Sequence, residues 1–183
     1  MIQRLVGSEM CIRDRGINDA PVAVNDTDTV AEDATVIKTA SQDDVMNDDS
    51  DPDDSATLSV SNIAHTNGNS GSVSSDSTYE SSGTQIVGTY GTLTIGADGS
   101  YKYIADQTAA DALDVGDSID DVFTYTLSDG TDTDTATLTI TVTGVNDTPS
   151  AQNDVGVIDE GETLTVINGA NANETNDSGS TFN

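Results

Sequence analysis

Residues 122–143 alternate. In "VFTYTLSDG" the side chains Phe123, Tyr125 and Leu127 fall on every second residue, and in "TATLTITVTG" Ala136, Leu138, Ile140 and Val142 do the same, with Asp129-Gly130 lying in the connection. A period of two puts the apolar residues on one face of a strand and the threonines on the other, and an Asp-Gly step suits a tight turn, so this stretch reads as a hairpin with one buried face. "GTLTIGADGSYKYIA" repeats the arrangement, with Leu93 and Ile95 set against Tyr101 and Tyr103 around Asp98-Gly99. "ATVIKTA" and "ATLSVSNIA" supply two more strands and Val30 marks a shorter one. About seven short strands separated by turn signals predict an all-β fold, a Greek-key β-sandwich. "DQTAADALDVGD" (Asp106 to Asp117) has room for one helical turn, and "HTNGNSGSVSSDSTYESSG" reads as a long polar loop carrying a short edge strand.

Charge narrows the partners. The 183 residues hold 33 Asp and Glu against 5 Lys and Arg, a net charge of -28. Such a surface repels nucleic acid and anionic membranes and attracts cations. Hydrophobic content is 34% and Trp is absent, which by itself would suit an acidic disordered chain; the alternation decides against that for about Ala20 to Val145. Insertion into a bilayer is not expected, since no apolar run approaches the roughly 20 residues a span requires.

"MIQRLVGSEMCIRDR" stands apart. It contains Arg4, Arg13 and Arg15, three of the five basic residues, and the single cysteine, Cys11. It lacks a signal-peptide core and cleavage site, so residues 1–15 read as a non-native leader left by processing or cloning. The rest has no cysteine, which removes disulfides and Cys-based zinc sites as staples. "GINDAPVAVNDTDTVAEDAT" (Gly16 to Thr35) matches "GVNDTPSAQNDVGVIDEGET" (Gly144 to Thr163) at a constant offset of 128 residues, the separation of Gly16 from Gly144. A fixed period with extended Asn-Asp-x-Pro connectors is the signature of a tandem array. Residues 16–145 therefore read as one complete repeat, and 146–183 as a linker and the truncated start of the next.

"NDDSDPDD" (Asn47 to Asp54) gathers five aspartates, whose mutual repulsion a cation would remove. With Asp49 at the first position, Asp49, Asp51 and Asp53 fit an EF-hand, but Asp54 replaces its glycine and Val60 its final glutamate, so it is not one. A calcium ion takes six to eight oxygen ligands, and these must come from distant segments: Asn18-Asp19, Glu32, Asp51 with Asp53, and the second-copy residues Asn146-Asp147 and Glu160. "SDGTDTDT" (Ser128 to Thr135) could also bind a cation, but reads first as a hairpin turn with exposed aspartates. His65, the only histidine, reads as a solvated loop residue. Lys102 is expected on the solvent face, opposite its neighbours Tyr101 and Tyr103. No catalytic motif is present, so no enzymatic activity is expected.

Taken in order, "LTITVTGVNDTP", a downstream glutamate and then "DSDPDD" resemble the linker, early glutamate and Asp-x-Asp loop of cadherin-type domains. "DGSYKY…DVFTYTLSDGTDTDTATLTITVTGVNDTP" is similar to the VCBS and bacterial cadherin-like repeats of large secreted adhesins of the RTX type. The resemblance spans about Gly16 to Glu162 and implies a cadherin- or immunoglobulin-like sandwich with calcium (Ca2+) at the junctions between successive repeats. Carried over, Glu32 faces Asn146 and Asp147 of the following linker, while Asn18, Asp19, Asp51 and Asp53 serve the junction with a preceding repeat; Glu160 is the second-copy counterpart of Glu32. The resemblance further implies a calcium-dependent structural and adhesive module at the cell surface or outside the cell, partnered by neighbouring repeats of its own chain. The alternative it leaves open is an exopolysaccharide-binding domain, with Tyr79, Tyr90, Tyr101 or Tyr103 stacking on sugars. Two departures stand out: Gly144 replaces the first aspartate of the cadherin linker, and no mid-domain acidic motif matches. In the next repeat, "NETNDSG" offers Asp177 but Gly179 at the paired position.

Overall fold

The computed structural model describes residues 17–40, 43–53 and 55–151, together with residue 161 and residues 174–175. Their strands are β1 Asp26–Ala31, β2 Thr35–Lys38, β3 Ser59–His65, β4 Ser70–Ser72, β5 Thr84–Val87, β6 Thr92–Ile95, β7 Tyr101–Ile104, β8 Ser118–Ser128 and β9 Thr133–Thr143, with a small β10 Ser150–Ala151 paired to β11 Glu174–Thr175. One sheet has the order β1-β9-β8-β3-β4 and the other β2-β7-β6-β5. The inward residues of the two sheets meet in one core, so the fold is an all-β sandwich. Phe123, Tyr125 and Leu127 of β8 and Leu138, Ile140 and Val142 of β9 pack with Leu93, Ile95, Tyr101 and Tyr103 of the opposite sheet, as the alternation predicts. Lys102 lies on the other side of β7 from its two buried tyrosine neighbours. The edge strand expected in the long polar loop is β4.

One pairing sets the direction of the chain. β1 runs parallel to β9, with Asp26 opposite Leu138 and Ala31 opposite Thr143. The first and last long strands therefore point the same way, and the polypeptide comes in at one end of the sandwich and leaves at the other. Eleven residues of β9 at about 3.3 Å each separate these poles by roughly 36 Å.

The stretch from Asp106 to Asp117 closes the one turn it has room for, with the Ala110 and Asp111 amides donating to the Gln107 carbonyl (2.8 and 3.3 Å), and continues as further turns. One expectation changes. His65 is not a solvated loop residue but the last residue of β3, buried and paired with Phe123. The cause is a β-bulge between Val60 and Asn62, where the register shifts. One extra residue reverses the parity of the strand, so Ile63 and His65 point inward where Asn62 and Ala64 would otherwise do so.

Candidate functional site

At the incoming pole the connector is zipped to the acidic loop. The Val22 amide donates to the Ser50 carbonyl (2.7 Å) and the Ser50 amide to the Val22 carbonyl (3.1 Å). This bridge brings Asn18-Asp19 beside Asp51-Pro52-Asp53: the Asp19 amide donates to Asp53 Oδ2 (3.0 Å), and the Asp53 amide to Asp51 Oδ1 (2.7 Å) in an Asx turn. The four expected residues of this pole are thus neighbours, although distant in sequence. The β8–β9 turn joins them. Asn18 Nδ2 donates to Asp129 Oδ2 and to Asp132 Oδ2, both at 2.8 Å, and the Ala23 amide donates to Asp134 Oδ2 at 3.0 Å. The "SDGTDTDT" stretch is the hairpin turn expected, with the Thr131 and Asp132 amides donating to Asp129 Oδ1, but its three carboxylates also face the connector. Hydrogen bonds, first from the Asn18 amide and then from backbone amides, hold the Asp129 carboxyl below its usual range; the Ala23 and Thr135 amides do the same for Asp134.

These donors fit a hard cation in kind, being carboxylate and amide oxygens throughout. Asp51 adds a specific observation, since its Oδ2 is buried and makes no hydrogen bond. A buried carboxylate oxygen without a donor carries a desolvation cost that a cation would offset. Among the described residues no group of three or more acidic or histidine side chains is arranged to hold a metal ion by itself.

At the outgoing pole Glu32 follows the last residue of β1 and is buried, with its Oε1 accepting the Val145 amide while its own amide donates to the Thr143 carbonyl (2.9 Å). Asp33 follows in the left-handed region (φ 60°), which Asp tolerates better than most residues, and turns the chain into the second sheet. Glu32 is thereby fixed against the connector just before Asn146 and Asp147. Asn146 Nδ2 donates to the Asp147 carbonyl at 3.0 Å, the same local bond that Asn18 makes with Asp19 at 3.1 Å. Glu160 lies outside the described residues. Gly144 has a steric reason for departing from the cadherin linker: its amide donates to the Asp117 carbonyl (3.0 Å), and a Cβ there would collide with the Asp114 carbonyl.

The family model of the bacterial cadherin-like domain matches residues 18–144. The chain belongs to this family. No curated protein matches it. Bacterial cadherin-like domains are structural and adhesive modules, in general without enzymatic activity, and typically occur in extracellular or surface proteins. Among the described residues no helix is long and apolar enough to cross a membrane.

Two polar networks inside this cadherin-like domain escaped the sequence reading. Asp121 is buried on β8 and accepts five hydrogen bonds: from His65 Nε2 (2.7 Å) and the Thr89 amide (3.0 Å) on Oδ1, and from the Tyr90 and Gly91 amides (both 3.2 Å) and the Tyr103 hydroxyl (2.7 Å) on Oδ2. His65 Nδ1 accepts the Asn67 amide (3.0 Å), so the ring proton sits on Nε2 and points at Asp121. Glycine is required at two places around this carboxylate, because a Cβ on Gly88 would overlap Asp121 and one on Gly91 would overlap the Tyr103 ring. The second network lies beneath the incoming pole. Burial, reinforced by the charges of Asp48, Asp49 and Asp44 and opposed by the Tyr125 hydroxyl, pushes the Asp26 carboxyl up to about 7, and burial also raises Asp49. Asp26 lines an acidic cleft of about 260 Å³ with Asp43, Asp44 and Asp48. Position alone could have revealed Asp121 and Asp26, since they share the strand parity of buried Phe123 and buried Val30.

Proposed function

We propose that this domain is a calcium-ordered structural and adhesive repeat of a VCBS-type bacterial adhesin, secreted or displayed at the cell surface. The observation that carries the reading is the placement of acidic groups at both ends of one sandwich. Asn18, Asp19, Asp51 and Asp53 gather where the chain comes in, and Glu32 touches the connector where it leaves. A head-to-tail array puts the Glu32 end of one repeat against the Asp51 end of the next. Glu32, Asn146 and Asp147 would then hold the ion from one side and the next repeat's Asp-x-Asp loop from the other, with Glu160, the following copy of Glu32, serving the junction after it. Bound calcium neutralises carboxylates that otherwise repel, and oxygen ligands from two domains fix their relative orientation. Within this chain the Val22–Ser50 bridge positions Asp51 and Asp53, and the β1–β2 crossing positions Glu32.

The alternative, an exopolysaccharide-binding domain, draws less support. Tyr101 and Tyr103 are 2% and 0% exposed, so their rings belong to the core and offer no stacking surface; Tyr79 and Tyr90 are half-buried.

The test is a pair of opposite signs. With a preceding repeat attached, millimolar calcium is expected to raise the melting temperature, a tenfold excess over the dissociation constant adding about 1.4 kcal/mol per site. Asp51→Asn with Asp53→Asn is expected to remove most of that increment and to raise metal-free stability slightly. Retention of the full calcium response by the double variant would place the site elsewhere.

A further inference from the structure

The segments bearing the candidate ligands of the incoming pole, residues 18–25 and 43–53, belong to neither sheet, yet a site built from both needs a constant spacing between them. The Val22–Ser50 bridge joins the two to each other. Each also has its own ties to the sandwich, the connector through Asn18 to Asp129 and Asp132, Ala23 to Asp134 and Asn25 to Thr137, and the loop through Val45 to Gly99, but one side chain reaches both segments at once. Tyr125 stands on β8, its residue fully buried, and its hydroxyl lies 2.8 Å from the Val24 carbonyl, 2.9 Å from the Val45 carbonyl, and 3.1 and 3.2 Å from the two carboxylate oxygens of Asp49. Asp49 Oδ1 also accepts the Val24 amide at 2.7 Å. The Val24 carbonyl of the connector and the Val45 carbonyl and Asp49 carboxylate of the acidic loop therefore all face a single hydroxyl of the five-stranded sheet, while the Val24 amide ties connector to loop through Asp49.

A phenol has one hydrogen to donate, and here it faces oxygens from two segments. It can serve all of them in alternation only while the segments stay side by side; moving either one away leaves buried acceptors unpaired, at a cost comparable to a lost hydrogen bond. Sheet, connector and loop thus move as one body. We infer that Tyr125 is the positioning residue of the incoming pole: without touching Asn18, Asp19, Asp51 or Asp53, it sets the spacing at which those residues meet a cation. The inference rests on the calcium reading for its function, but the mechanical coupling it asserts can be tested without metal.

Tyr125→Phe keeps the ring in the core and deletes only the hydroxyl. Amide hydrogen exchange of the 183-residue chain in chelator is the first arm. The Val22 and Ser50 amides are expected to exchange about tenfold faster in the variant, as the loss of roughly one hydrogen bond implies, relative to Leu93 and Tyr103 in the other sheet. Asp49→Ala, which leaves the core ring untouched, is expected to accelerate the same two amides and serves if the phenylalanine variant is too unstable to measure. Acceleration spread evenly over both sheets, or none at Val22 and Ser50, overturns the inference. The second arm titrates calcium chloride with a preceding repeat attached, as in the melting test: the concentration giving half-maximal protection of these amides is expected to rise about tenfold in Tyr125→Phe, and an unchanged midpoint overturns the positioning role. A wild-type two-repeat protein that gains no protection from calcium defeats the calcium reading, while the chelator arm still decides whether Tyr125 couples the two segments.

Discussion

Replacing Asp121 by asparagine removes one acceptor oxygen from a site that uses both. The carboxylate receives five donors, two on Oδ1 and three on Oδ2, and sits 1% exposed. The new amide group must face one set or the other. Its less costly orientation meets His65 Nε2 and the Thr89 amide, and His65 cannot change tautomer without turning its other nitrogen into a donor against the Asn67 amide. Two hydrogen bonds to a charged acceptor are lost, at about 1.5–3 kcal/mol each, so the expected destabilisation is about 3–6 kcal/mol. For a domain of this size that corresponds to a fall of roughly 10–25 °C in melting temperature. Thermal and urea unfolding followed by circular dichroism measure it. A loss below about 1 kcal/mol would refute the reasoning, because it would mean that water or local movement satisfies the donors in the carboxylate's place.

Asp26→Asn is expected to flatten the pH dependence of stability. The folded carboxyl titrates at about 7 against 3.8 for an ordinary aspartate, so its contribution is fully present below about pH 4 and is lost as the pH rises through 7. A gap of that size corresponds to about 4 kcal/mol at most, and solvent screening at this half-buried position reduces it to about 1–2 kcal/mol; urea midpoints at pH 4.5 and pH 8 should therefore converge in the variant, with the gain at pH 8. Gly144→Asp restores the residue usual in a cadherin linker, yet should cost about 1–3 kcal/mol by overpacking against the Asp114 carbonyl. Unchanged urea stability in that variant would contradict the steric account.

Alternation made the sandwich legible, because Phe123, Tyr125, Leu127 and their partners on β9 repeat without interruption. The pole residues Asn18, Asp19, Asp51 and Asp53 were legible as chemistry, and the fold supplies what the sequence could not, the Val22–Ser50 bridge that makes them neighbours. His65 was misplaced because the apolar pattern of "ATLSVSNIA" closes one residue before it and the polar loop opens with it, whereas β3 runs one residue further and its bulge turns that last position inward. Asp121 and Asp26 were passed over for a different reason. Both sit at inward positions by simple parity, but a carboxylate there makes sense only when donors arrive from elsewhere in the fold, and those donors are 18 to 56 residues away from Asp121.

The head-to-tail arrangement is tested most directly by small-angle X-ray scattering of two tandem copies of residues 16–145, in millimolar calcium and in chelator. If carboxylates from both domains share ions at the junction, the pair is expected to be extended in calcium, near twice the length of one sandwich, and to bend or average to a shorter maximum dimension in chelator. A maximum dimension that does not change when calcium is removed would contradict calcium-ordered stacking of these repeats.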